Sequence, residues 1–247
     1  MQPICLITGA SSGLGKALAI YYAQLGWKVL AVARNQQRLD ELHQLHPQIL
    51  PFAADVTDAA AVSALFQRIH QTCPHIDVAI LNAGTCEYVD FNNWSPGLFQ
   101  RTFALNFHAV VDMVPQLLPL LGQSPKPTLA IVSSLAHYFP FTRSEAYGAS
   151  KAALTYFADS LRVDLADSAI QVSLIEPGFV DTPLTAANDF KMPFLLSAED
   201  AAARIGKSIA AGELRCRFPK RLVSSLMLLN CLPYSWRQRV AARMKNQ

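Results

Sequence analysis

The sequence predicts a doubly wound parallel α/β sheet in three layers, built as one domain over residues 1–247. Three observations predict it. Short apolar segments alternate with longer amphipathic ones as far as residue 175. The short segments are near-continuous runs of Val, Ile, Leu and Ala, as strands buried on both faces require. A glycine-rich turn joins the first short segment to the first long one. Strand–helix alternation of this kind places helices on both faces of a parallel sheet.

Strands are expected at 4–8, 28–33, 49–54, 77–81, 129–133 and 170–175. Helices are expected at 13–25, 36–45, 58–72, about 95–121 and 145–166. Ser124-Pro-Lys-Pro127 reads as a loop, and no internal repeat interrupts the order. Glu176-Pro-Gly178 stops the sixth strand. Residues 183–196 are apolar without a period, and Ser197-Ala-Glu-Asp200 reads as a capping box for a helix ending near Gly212. We therefore expect 183–212 to form a flap over the site, and 213–247 to form a basic extension.

Composition narrows the function. Hydrophobic residues make up 51% and charged residues 16%, which excludes a disordered chain. A net charge of +3 is too small to imply a nucleic-acid partner. The charge is uneven, however: residues 213–247 hold eight Lys/Arg and one acid, on a body of net charge −4. The five cysteines have no C-x-x-C spacing, which argues against a disulfide framework and a zinc site and suits a reducing, cytoplasmic compartment. The histidines form no metal-binding pattern, so no metal is expected. No signal peptide precedes the first strand. No uninterrupted apolar run approaches the ~18 residues of a membrane span.

The first strand runs into Thr8-Gly9-Ala10-Ser11-Ser12-Gly13-Leu14-Gly15 at the start of a helix. Gly9 permits the turn, Gly13 lets backbone approach a phosphate, and Gly15 lets the helix pack on the sheet. The helix start then presents free N–H groups to an anion. A glycine loop in this strand-to-helix context signals a dinucleotide-binding, Rossmann-type fold. Ala10 to Lys16 also approximates a nucleoside-triphosphatase loop, but Ala17 replaces the hydroxyl that would hold magnesium.

The second strand is followed by Arg34, and no acid lies between Leu25 and Leu39. An acid there would bond the ribose 2′-hydroxyl. An arginine binds a 2′-phosphate instead, so NADP(H) is expected over NAD(H), with Arg38 able to assist.

Tyr147 and Lys151 are spaced i, i+4 at the start of a helix and so share a face. An ammonium beside a phenol favours phenolate and equips the tyrosine as an acid/base. Ser133-Ser134 closes the preceding strand, where a hydroxyl faces the cofactor crevice.

In order and spacing, residues 3–183 resemble the short-chain dehydrogenase/reductases. The resemblance implies hydride transfer at nicotinamide C4 to or from a carbonyl or alcohol carbon. It makes Tyr147 the acid/base and Lys151 its partner and a ribose ligand. Ser134, thirteen residues before Tyr147, would orient the substrate, and Asn106 would complete a proton relay. Asp55 and Val56 match the adenine contact, Asn82-Ala83-Gly84 the motif after the fourth strand, and Pro177, Gly178, Val180 and Thr182 the nicotinamide segment. The chain departs from the pattern at Leu81, in the aromatic stretch after Ser134, and from Arg217 onward. His137 reads as an incidental loop histidine.

The expected partners are a small carbonyl or alcohol substrate, lipophilic by the apolar flap and Tyr138–Phe141, and further copies of the chain in a homodimer or homotetramer. For the basic extension, a pocket cap or oligomer contact is expected ahead of a membrane surface. The competing function is a non-catalytic NADP(H) sensor or scaffold on the same fold.

Overall fold

All six expected strands form, and a seventh joins them. The computed structural model describes residues 2–186 and 188–244. Ala187 of the expected flap and residues 245–247 of the expected extension lie outside them. The strands are β1 (Ile4–Thr8), β2 (Lys28–Ala33), β3 (Ile49–Ala53), β4 (Val78–Leu81), β5 (Thr128–Val132), β6 (Gln171–Pro177) and β7 (Arg215–Phe218). They pair in the order β3-β2-β1-β4-β5-β6-β7, every pairing parallel. The helices are α1 (Gly13–Gln24), α2 (Gln36–Leu45), α3 (Ala59–Thr72), α4 (Pro96–Phe103), α5 (Ala109–Leu121), α6 (Glu145–Asp164), α7 (Ala198–Ala210), α8 (Lys220–Asn230) and α9 (Tyr234–Met244).

The sheet separates two apolar layers. On one face α3, α5 and α6 bury Phe66, Met113, Leu117 and Leu154 against Leu6, Leu30 and Ile131. On the other, α1, α2 and α7 bury Leu18, Leu39 and Ile205 against Ile7, Ala31 and Ile175. The fit on that face is close. Tyr21 of α1 lies on Gly206 of α7, and any side chain there would overlap the tyrosine ring.

Local chemistry sets the helix starts. The Asp58 carboxylate accepts from Ala60 N and Ala61 N at the head of α3. The Ser197 hydroxyl accepts from Asp200 N (3.0 Å) at the head of α7, as its capping box predicts.

Three features differ from expectation. β7 was read only as a departure from pattern. It is four residues long, and it alternates half-buried Arg215 and Arg217 with buried Cys216 and Phe218. Second, β6 runs two residues further than expected, because Glu176 and Pro177 pair with Arg217 and Phe218. Third, the single long helix is interrupted by a π-helical turn, Ala104–His108, between α4 and α5. Taken whole, Pro96–Leu121 has the length and hydropathy of a membrane span, with a mean of 1.3 over an 18-residue window. Its apolar face, including Val110, Met113 and Leu117, is spent on the core.

At the outer edge, β3 carries Pro51 opposite Ala31. Gln48 O and Ala54 N bond β2, so by alternation Pro51 faces away from the sheet. The carboxyl ends of β1, β4, β5 and β6 open on one side, and the expected site residues gather there.

Candidate active site

At the crevice between β1 and β4, the chain leaves β1 with Gly9 at φ +70° and enters α1 through Gly13 at φ +50°. Both values belong to the left-handed region that favours glycine. A Cβ on Gly15 would overlap the Gly9 carbonyl. Thr8 ties the two strand ends together. Its hydroxyl accepts from Asn82 N (2.9 Å) and Ala83 N (3.0 Å), and its carbonyl accepts from Asn82 Nδ2 (3.0 Å). Ser12 caps α1 without a side-chain bond, so the first-turn N–H groups remain for an anion. Across the mouth stands Thr182, whose side chain would lie 3.1 Å from a Cβ on Gly13. A dinucleotide fits this cradle of glycines and free N–H groups.

Arg34 follows β2 with a 75% exposed side chain, 3.9 Å from the Asp55 carboxylate. Asp55 accepts from Thr57 N (2.9 Å) and Thr57 Oγ1 (2.7 Å), and these bonds hold its carboxyl below the usual range. Val56 beside it is buried.

The π-helical turn carries Asn106 into full burial. Its side chain accepts from Thr85 N (2.8 Å) and donates to Thr85 O (2.9 Å) and Ser150 Oγ (3.0 Å). The Ser150 hydroxyl donates to the Tyr147 carbonyl (2.7 Å), so Asn106 is linked to the first turns of α6. The two serines after β5 divide their work. Ser133 donates to Lys151 O (3.0 Å), bonds Thr155 Oγ1 (2.8 Å) and fastens α6 to the sheet. Ser134 accepts from Ala136 N (3.1 Å), and its hydroxyl lies near enough to Tyr147 to favour the phenolate.

The electrostatics differ from the sequence expectation of a phenol depressed by its lysine. Burial pushes the Tyr147 phenol above its ordinary value, helped by the nearby Cys86 thiol and opposed by the Ser134 hydroxyl. The Lys151 ammonium sits 5.9 Å from the Tyr147 ring centroid and donates to Val132 O at 2.8 Å. Burial lowers its pKa to about 8. A Cβ on Gly84 would stand 3.2 Å from Asn106 Oδ1 and 3.5 Å from Lys151 Nζ. These groups therefore share one small space.

Three wall residues carried no sequence signal. Cys86 lies close enough to Tyr147 to act on its charge, and its thiol is raised to about 11 by burial. Tyr88 donates to Asn188 Oδ1 (2.5 Å), which latches the 180s segment to the loop after β4. Arg143 completes the latch through Asp189 (2.8 Å). The ends of that segment are tied by a bridge between Val180 and Leu196, and Phe190 packs edge-on against Tyr88 and Phe179.

His137 is not incidental. Its Nε2 lies 2.5 Å from Glu176 Oε1, and Arg215 donates to the same carboxylate at 2.6 and 3.2 Å. Glu176 is fully buried directly before Pro177 and Gly178. Burial pushes its carboxyl up, and the bonds from His137 and Arg215 outweigh it, leaving the pKa below the usual value. The cluster joins the loop after Ser134, the end of β6 and β7. α8 packs Leu222, Val223 and Leu226 on Leu135 and Phe139, so its inner face covers this loop.

The family model for short chain dehydrogenases matches residues 3–192. The chain belongs to the short-chain dehydrogenase family. It is an oxidoreductase of carbonyl and CH–OH groups, and its seven-stranded sheet is the family's Rossmann-type fold. An uncharacterized oxidoreductase of Myxococcus xanthus is 33% identical over 244 residues, covering 97% of this chain and 96% of that one. A fatty acyl-CoA reductase of Acinetobacter baylyi is 34% identical over 241 residues, covering 94% and 79%. A Burkholderia phymatum short chain dehydrogenase/reductase, solved in complex with NAD, superposes with a TM-score of 0.83 at 22% identity, covering 92% of each chain. This last likeness is one of fold.

Proposed function

We propose that this short-chain dehydrogenase uses NADP(H) to interconvert a lipophilic carbonyl and its secondary alcohol. The convergence of Tyr147, Ser134, Lys151 and Asn106 beside the glycine cradle carries the reading. The cradle residues Gly9, Ser11, Ser12, Gly13, Leu14 and Gly15 hold the pyrophosphate. Asp55 and Val56 flank the adenine, Asn82, Ala83 and Gly84 line the floor, and Pro177, Gly178, Val180 and Thr182 meet the nicotinamide end. The bound cofactor supplies or accepts the hydride. Ser134 holds the substrate oxygen by hydrogen bond, and Tyr147 delivers the proton to it. A phenol raised by burial keeps that proton, which is the state reduction requires. Lys151, with one acceptor among the described residues for three donors, has capacity left for ribose hydroxyls. Asn106 positions the first turns of α6.

The choice of NADP(H) rests on Arg34, exposed and 3.9 Å from Asp55, and on the lack of an acid between Leu25 and Leu39 at the end of β2. The lipophilic substrate rests on the aromatic character of the segments after Ser134 and Gly178 (Tyr138, Phe139, Phe141, Phe179 and Phe190), with residues 183–212 as flap. The acyl-CoA reductase relative is in keeping with it. The five free cysteines suit a reducing compartment.

Tyr147→Phe tests the chemistry. Turnover of NADPH with a long-chain or aromatic carbonyl should fall about 10²–10⁴-fold, the span of general acid–base catalysis. NADPH affinity, followed by nicotinamide fluorescence, should stay within about twofold. Retained turnover rejects Tyr147 as the proton donor.

A further inference from the structure

The C-terminal helices α8 and α9 have inner and outer faces of opposite character. Their inner faces meet each other and the body through Leu222, Val223, Leu226, Val240 and Ala241. No residue of α9 is fully buried. The outer faces carry large apolar groups in solvent: Leu228 is 72% exposed and Trp236 61%. Basic residues share those faces. Arg221 and Leu228 are spaced i, i+7 on α8, and Trp236, Arg239 and Arg243 are spaced i, i+3, i+7 on α9. Glu213 is the last acid in the sequence. Among the described residues, no carboxylate lies within 4.0 Å of Arg221, Arg239 or Arg243.

We infer that this face docks on the surface of an anionic lipid bilayer. Each competing occupant meets a physical objection. A second copy on a two-fold axis would bring together two faces whose charges are all positive, and like charge across an interface is repulsive. A nucleic acid would satisfy the arginines and leave Leu228 facing water. A bilayer surface satisfies both classes. A tryptophan ring settles at headgroup level, leucine reaches the acyl boundary, and arginines meet lipid phosphates. On its inner side α8 packs near Phe179, which contacts Phe190 of the 180s segment. The inference concerns adsorption alone and stands whatever the substrate proves to be.

Vesicle flotation of the full chain tests it, using phosphatidylcholine alone or with about 30% phosphatidylglycerol. Adsorption should require the anionic lipid and fall about tenfold or more between low and about 500 mM salt, where charges are screened beyond about 4 Å. Arg239→Glu with Arg243→Glu should lower adsorption about tenfold or more, and Trp236→Ala should lower it at every salt concentration. Both variants should keep the wild-type thermal shift with NADPH, which shows that they fold. Lack of flotation by the wild type, or equal flotation by the folded variants, overturns the inference. So does a wild-type dimer that the variants convert to monomer in sedimentation, which assigns the face to a second copy. Binding of a DNA duplex without vesicle binding, lost in the same variants, also overturns it.

Discussion

Among the described residues, Lys151 has one acceptor for its ammonium, Val132 O. Burial lowers its pKa from 10.5 to about 8, so the charged form destabilises the native state. The sign follows from linkage. Below about pH 8 both states carry the proton, and the folded state bears the full cost. Between about 8 and 10.5 the unfolded chain binds more protons, so stability rises with pH. At ~1.4 kcal/mol per unit the cost is of order 3 kcal/mol. Lys151→Met should therefore be more stable than wild type at pH 7 by up to about 3 kcal/mol, and inactive. In urea denaturation without cofactor, the wild type should close that gap by about pH 10.5. A constant gap from pH 7 to 10.5 would show that the ammonium is not strained by burial. The meeting of Tyr147, Lys151 and Ser134 was legible in the sequence, because helix periodicity puts Tyr147 and Lys151 on one face and the family resemblance pairs Ser134 with Tyr147. The direction of the phenol shift was not. It depends on how much water the walls exclude and on where Lys151 turns, and both are tertiary properties.

At the scale of elements, the parts that escaped the sequence are those made by pairing. Glu176 and its partners His137 and Arg215 are each 39 residues apart in the chain. Only the register of β6 on β7 and the fold of the 135–138 turn bring them together. β7 itself is four residues stopped by Pro219, too short for periodicity to separate from a loop. The π-helical turn at Asn106 has the composition of ordinary helix, so its extra residue per turn leaves no trace in propensity. The Glu176 cluster yields a prediction. Arg215→Met leaves a buried carboxylate with one partner, and losing half of a buried pair destabilises by about 3–5 kcal/mol. Arg215 is one-third exposed, which places the expected loss near about 3 kcal/mol. For a chain of this length the melting temperature should drop by about 6–12 °C. The wild-type contribution is present above the unfolded carboxyl pKa and is lost as pH falls through the lowered folded value. The difference between wild type and Arg215→Met should therefore shrink in acid. A difference that persists unchanged at low pH would assign Arg215 a packing role only.

For the whole molecule, the cradle and Arg34 lie on one half of the sheet and the 177–182 segment on the other, so a dinucleotide held as proposed would span it. A ligand bound only by the native state stabilises it by mass action, about 2.7 kcal/mol at a hundredfold excess over Kd. Differential scanning fluorimetry with NADPH should raise the melting temperature by about 5–10 °C, and equimolar NADH should raise it less. Arg34→Ala should erase the difference between the two cofactors. A larger shift with NADH would overturn the NADP(H) reading. The sheet also sets how molecules can join. On the free edge of β3, Pro51 has no N–H to offer, and the Ile49 N–H already donates to His46 O (2.9 Å). A strand from another chain would find almost no ladder to continue there. On this side the protein is poorly suited to fibril growth and strand exchange, and a strand-paired contact with another chain would have to form at the opposite edge, β7.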